Sequence, residues 1–259
     1  MTSPPESASS QLHTLLDYFS HFSVDYQTIP PQILSTTINF ASGVFRPHEG
    51  AFMLAAALCD IVSPGDTVLE IGTGSGLLGI VAARLGAKVV ATDLEEHRLT
   101  IARDNATANQ VSIDFRQGSL AEPISASEKF DVIVFNLPSS PTNPTDKTED
   151  SNVSGGVDGR ELIDGMLHSI KPLLKPNSKV ITVQSHLSNY KKTIHKLQLL
   201  GATAGIYVER LRPLGKTSLS QAQYIKENLE LNTHPIEIDG QLYYRLAVIL
   251  AEFSAQSRL

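Results

Sequence analysis

The chain has 259 residues, 41% of them hydrophobic and 19% charged, with a formal net charge of −6. That length suits one large α/β domain with or without a small extension, and the negative balance gives no broad electrostatic attraction for nucleic acid. One cysteine, Cys59, excludes an intramolecular disulfide. No apolar run is long enough to span a membrane, and the polar opening over residues 1–10 lacks the basic-then-apolar order of a signal peptide. A cytoplasmic protein is expected.

Residues 1–10, rich in Ser and Pro, read as a disordered tail. Leu12, Leu15, Leu16, Phe19 and Phe22 recur at helical spacing, which predicts a helix over 11–22. Pro30-Pro31 interrupts the chain, and the β-branched residues over 35–45 predict a strand or ribbon. Residues 46–50 read as a turn. Residues 51–61, dense in Ala and Leu, read as a helix in which Cys59 is a small buried hydrophobe.

An alternation then begins. Strands are predicted at 67–71, 88–92, 112–116, 130–135, 179–184, 206–211 and 243–253. Helices are predicted at 77–85, 95–109, 162–174, 189–200 and 218–231. Strands alternating with helices imply a mostly parallel sheet covered on both faces. The near-continuous apolar run Asp131-Val132-Ile133-Val134-Phe135 is what a strand buried on both faces requires. The last two strands lack a clean crossover, so one of them can run antiparallel.

Ligands of open α/β sheets bind beyond the carboxyl ends of the strands. After the first core strand comes Gly72-Thr73-Gly74-Ser75-Gly76, whose backbone can bend tightly and approach a ligand. Glu70 stands just before it, a poor neighbour for a phosphate and a good one for a cation. Asp93 ends the second strand; it can accept from both hydroxyls of a ribose or simply cap the helix that follows. Gly118-Ser119-Leu120 follows the third strand and Asn136-Leu137-Pro138-Ser139 the fourth. Among eight histidines no pair shows metal-ligand spacing, but His48 and His186 fall near the site and either can serve as a general base.

Together, Val68-Leu69-Glu70-Ile71-Gly72-Thr73-Gly74-Ser75-Gly76, Ala91-Thr92-Asp93 and Asn136-Leu137-Pro138 resemble a class I S-adenosylmethionine-dependent methyltransferase. The stretches at 44–49, 102–106 and 155–161 narrow this resemblance to the release-factor and ribosomal-protein glutamine methyltransferases. The fold implied is α/β and Rossmann-like, a seven-stranded, mostly parallel sheet with helices on both faces. Residues 46–259 would form the methyltransferase domain. Residues 1–45 would add a tail, helix and ribbon covering the substrate side.

The resemblance implies S-adenosyl-L-methionine as cofactor. Gly72, Thr73, Gly74 and Gly76 would wrap its methionine part, Glu70 would bind its amino group, and Asp93 would hold the ribose with Leu94 beside it. Ser119 and Leu120 would border the adenine, and Asn136 would reach both cofactor and acceptor. Arg46, Glu49, Leu137, Pro138 and Ser139 would shape the acceptor side. In the family the residues after Asn136 are Pro-Pro-aromatic, and the ring stacks on the target. Ser139 offers no ring, a contact worth about 1 kcal/mol, so the expected acceptor is a nitrogen or oxygen of a peptide, protein or small metabolite, natural-product carboxylates included. Protein glutamine is the alternative, and a non-catalytic cofactor-binding partner subunit or a nicotinamide-dependent oxidoreductase are rivals of other classes. The polar stretch 139–154 reads either as a lid over the acceptor or as a disordered loop, and 211–242 as a substrate cover or as added core.

Overall fold

A computed structural model of the chain describes residues 13–16, 29–39, 47–146 and 154–255. Its elements are β1 (His13–Thr14), α1 (Pro31–Leu34), β2 (Thr37–Ile38), α2 (Glu49–Ile61), β3 (Thr67–Ile71), α3 (Leu77–Arg84), β4 (Lys88–Asp93), α4 (Glu96–Ala108) and β5 (Ile113–Gln117). Next come β6 (Phe130–Phe135), α5 (Glu161–Ser169), β7 (Leu174–Ser185), α6 (Tyr190–Leu199), β8 (Ala202–Pro213), α7 (Lys216–Asn228), β9 (Ile236–Ile238) and β10 (Gln241–Phe253).

The main sheet has eight strands in the order β5-β4-β3-β6-β7-β10-β8, with β9 paired to β10. The expected seven form the path and β9 is the addition. Strands β5, β4, β3, β6 and β7 are mutually parallel, while β10 runs antiparallel to both β7 and β8. β8 therefore points the same way as the parallel strands, and its carboxyl end joins theirs.

Strand alternation builds two cores. Val68, Val132, Val134, Ile181, Val183 and Val248 face one side, packing with Phe52, Leu54 and Leu58 of α2 and Ile80 and Val81 of α3. Leu69, Ile71, Ile133, Phe135, Val180, Ala247 and Ile249 face the other, against Ile163, Met166 and Leu167 of α5 and Leu197 of α6. This is the period-two pattern of a sheet covered on both faces. Full burial of each such Leu, Ile or Phe is worth about 1.5–3 kcal/mol.

Leu15, Ile29, Ile33 and Ile38 join the first core, and two asparagines, Asn105 of α4 and Asn109 at its C-cap, fasten this N-terminal segment. Asn109 accepts from Thr37 N at 3.0 Å and donates to Thr37 O. Asn105, 1% exposed, accepts from Asn39 N at 2.9 Å and donates to Asn39 O at 3.1 Å and Ser75 O at 2.8 Å. One side chain thus ties the segment to the glycine turn.

Several boundaries differ from those read in the sequence. Within the expected helix 11–22, His13–Thr14 form a strand paired with Thr37–Ile38; residues 17–22 lie outside the described set, as does the expected tail. Glu49 and Gly50 are the first turn of α2 and not a loop. α5 stops at Ser169, not Leu174, because Pro172 has no N–H to continue the ladder. β7 begins at Leu174 through an irregular stretch that carries Pro176 and a left-handed Asn177, where an unpaired residue is tolerated. β8 is twice the expected length, with a register shift opposite Val248/Ile249 and Tyr207 bonded to Asp60 Oδ2 at 2.6 Å. No helix among the described residues is long and apolar enough to cross a membrane.

Candidate active site

The glycine turn is held by two carboxylates from neighbouring strands. Glu70, 2% exposed, accepts at Oε2 from Thr73 Oγ1 at 2.6 Å and from Gly79 N at 3.0 Å. Burial pushes its pKa up to about 8, against the opposing pull of those two donors. A Cβ at Gly79 would lie 2.6 Å from that oxygen, so only glycine lets the carboxyl reach the helix amide. Asp93, 4% exposed, accepts at Oδ2 from Gly74 N at 2.9 Å and at Oδ1 from Glu95 N at 3.1 Å, with Arg98 at 3.9 Å. It thus braces the turn and the amide of Glu95, the N-cap residue of α4, while also lining the cavity beside it.

That cavity, about 300 Å³, runs along the strand ends between Glu70, Gly72, Gly74, Asp93, Leu94, Ser119, Leu120 and Asn136. Gly72 has φ +71, and a Cβ there would sit 2.9 Å from Leu137 Cδ2. At Gly74 a Cβ would meet nothing within 4 Å, so the backbone there faces open space. Thr92 Oγ1 donates to Leu120 O at 2.8 Å and fixes the far end, where Leu120 takes φ +48. A bent glycine turn with an acid behind it, a second acid on its wall and an apolar far end fit a cationic amino acid joined to a nucleoside.

A second cavity, about 550 Å³, opens on the other side of Asn136. Asn136, Leu137 and Pro138 line both. Asn136 is exposed and its side chain takes no hydrogen bond among the described residues. Leu137 turns its side chain into the second core at 7% exposure, so only its backbone is left for a ligand. The remaining wall includes His48, Glu49, Ser139, Gln184, Arg212, Lys216 and Tyr244. Glu49 Oε2 pairs with Arg212 Nε at 2.6 Å. Burial raises the Glu49 pKa, and Arg212 and Arg210 oppose that.

His186 does not belong to the site. It lines neither cavity; its Nδ1 accepts from Arg245 N at 3.0 Å and its Nε2 contacts His234 O at 2.9 Å. Burial lowers its pKa, and both ring nitrogens are engaged, so it braces β10 against the 231–234 turn and has no nitrogen left for a substrate proton. His48 is exposed at the start of α2 and does line the acceptor cavity. Arg46 lies outside the described residues. The start of the 139–154 stretch is fastened rather than lid-like. Thr142 N donates to Gly156 O at 3.0 Å, Gly155 N to Ser140 O at 2.9 Å, and Asn143 N to Gln221 Oε1 at 2.8 Å. Residues 147–153 lie outside the described set. Gln184 and Lys216 went unnoticed in the sequence, and Arg212 was noticed only within a broad cover. Gln184 and Arg212 sit at the carboxyl ends of β7 and β8, so the strand-end rule would have found them once the direction of β8 was known. Among the described residues no cluster of acids, histidines or cysteine could hold a metal.

Residues 40–144 match the family model described as ribosomal protein L11 methyltransferase. A Methanocaldococcus jannaschii protein named for N5-glutamine methylation of proteins is 38% identical over 162 residues, 61% of this chain and 80% of that protein. A ribosomal protein L11 methyltransferase from Caldicellulosiruptor saccharolyticus is 40% identical over 91 residues; this chain spans 30% of that enzyme's length. Among solved structures, the Mtq2–Trm112 complex of E. cuniculi, described as responsible for methylating the termination factor eRF1, aligns with TM-score 0.55 at 21% identity. That alignment covers 82% of this chain and 99% of the matched one and shows a shared fold. With the sheet order, the braced glycine turn and these relatives together, the chain belongs to the class I S-adenosylmethionine-dependent methyltransferases, alongside the relatives named for protein glutamine and L11 methylation, and is an enzyme that takes its methyl group from S-adenosylmethionine.

Proposed function

We propose that the chain methylates a side-chain nitrogen of a protein segment, a glutamine carboxamide fitting best. The observation that carries this reading is Asn136, whose unbonded amide stands on the wall shared by the two cavities. Its Oδ1 would accept one hydrogen of the target NH2 and the Leu137 carbonyl the other, turning the nitrogen toward the cofactor cavity. Orientation of this kind supplies much of the rate of an in-line displacement. The bound cofactor would supply an electrophilic methyl on a sulfonium and leave as the neutral thioether, and the nitrogen would give up one proton, with His48 on the acceptor-cavity wall as its acceptor. Glu70 and the backbone at Gly72–Gly76 would hold its amino-acid part, Asp93 its ribose with Leu94 alongside, and Ser119 and Leu120 its base. Tyr244, half-buried in the acceptor cavity, would give the aromatic surface that Ser139 lacks. Residues 46–259 would carry this machinery, and residues 1–45 would border it through Asn39 and Asn105. The relatives named for protein substrates favour a protein segment over a small metabolite.

The test is calorimetric titration with S-adenosylhomocysteine and NAD, followed by transfer of labelled methyl to glutamine-containing peptides. Asn136→Ala should lower kcat about 100-fold while leaving S-adenosylhomocysteine affinity in place. Binding of NAD but not S-adenosylhomocysteine would sink the reading; cofactor binding without transfer to any protein or peptide would favour a non-catalytic subunit.

A further inference from the structure

The acceptor cavity has a charge pattern that the transfer step does not use. Its wall carries two cations, Arg212 and Lys216, and one carboxylate, Glu49, in a chain whose net charge is −6. Glu49 is 5% exposed and pairs with Arg212, its Oε2 2.6 Å from Nε. Among the described residues the Arg212 guanidinium has no ion-pair partner besides Glu49, and the Lys216 ammonium has none. Glu49 therefore holds the guanidinium from its Nε side, and Arg212, 24% exposed, still lines the cavity. A guanidinium held this way matches a carboxylate bidentately. Gln184, 1% exposed, lines the same cavity, its Oε1 buried without a hydrogen-bond partner among the described residues.

We infer that this cavity takes a carboxylate carried by the acceptor segment beside the methylated residue, with the Arg212 fork as its main contact and Lys216 beside it. The proposal rests on the reading of Asn136 given above and narrows it to an acceptor with an acidic flank. Among the lining residues the surplus is one positive charge, which one carboxylate balances. The carboxylate has two sources, an acidic side chain or the carboxyl terminus of the segment.

Peptides of about nine residues with a central glutamine, bearing Glu, Gln or Lys at each flanking position and either a free or an amidated C-terminus, test this. Methyl transfer and, separately, binding to enzyme loaded with S-adenosylhomocysteine are measured. Glu at one position, or the free C-terminus, should raise kcat/KM about tenfold over its neutral counterpart, through KM, and salt should erode the gain. Lys216→Glu, an exposed change, should cancel that preference. The double variant Glu49→Gln/Arg212→Gln, which avoids stranding a buried charge, should lose it while keeping S-adenosylhomocysteine affinity. A flat response to flanking charge, or a preference for Lys, overturns the proposal and leaves the Asn136 reading standing. A charge preference in binding without turnover upholds the carboxylate site and overturns glutamine as the target. Neither binding nor transfer of any peptide by enzyme that holds S-adenosylhomocysteine overturns both.

Discussion

Glu70 makes the stability of the unliganded enzyme depend on pH in a direction opposite to that of most carboxylates. Its pKa rises from an ordinary 4.5 to about 8 because burial penalises the charged form. Below the ordinary value both folded and unfolded chains hold the proton, and the contribution to stability is fully present. As pH rises the unfolded chain releases the proton first, and stability is lost until the folded pKa is passed. Between about pH 5 and about pH 8 the linkage amounts to about 3.5 kcal/mol, an upper figure for one buried group. Glu70→Gln removes the titration but keeps an oxygen for Thr73 Oγ1 and Gly79 N. The variant should therefore match the wild type within about 1 kcal/mol near pH 5 and exceed it by several kcal/mol near pH 8. Urea unfolding followed by far-ultraviolet circular dichroism suits a chain without tryptophan. Parallel pH profiles for the two proteins would refute the reasoning and mean that Glu70 is ionised in the folded state at neutral pH.

Three further outcomes follow from the geometry. Asp93→Ala removes the acceptor for Gly74 N and Glu95 N; S-adenosylhomocysteine affinity should fall about tenfold and stability by about 1 kcal/mol, and unchanged binding in calorimetry would reduce Asp93 to a cap. His186→Ala should cost about 2 kcal/mol for two lost hydrogen bonds with kcat unchanged, and a large loss of kcat at constant Tm would restore it as a base. Gly79→Ala places a methyl 2.6 Å from Glu70 Oε2; the clash, about 1–3 kcal/mol, should outweigh the helix-propensity gain of about 1 kcal/mol. Adding Glu70→Ala should then cost less than the two changes summed, as thermal unfolding would show.

The cofactor side was legible because it is local. Glu70, the three glycines and Gly79 lie within ten residues of one another, and strand, turn and helix impose their spacing. Asp93 and Asn136 come to the wall of one cavity by a single rule, that residues just past parallel strands line the crevice there. The acceptor side was less legible because sheet order, not sequence, assembles it. Glu49 meets Arg212 only because β10 reverses between β7 and β8. The rewritten motif also misled in part: Leu137 departs from the family in a side chain that fills the core, while the residue still lines both cavities. His186 has the right residue type at a strand end, but which way an imidazole turns depends on Arg245 and His234, far along the chain. Pro172 and Pro176 set the limits of α5 and β7 through the N–H groups they lack, and these boundaries were misplaced by several residues.

The braces on the glycine turn bear on how such sequences diverge. Glu70 and Asp93 each bind the turn or the helix behind it, so a descendant that abandoned catalysis would keep a structural use for an oxygen acceptor at both positions. Their retention in a related chain would record the persistence of the scaffold. Asn136 has no such structural employment, because its amide takes no hydrogen bond among the described residues. Relaxed selection would reach that position early, which makes it the more telling residue for separating active descendants from silent ones.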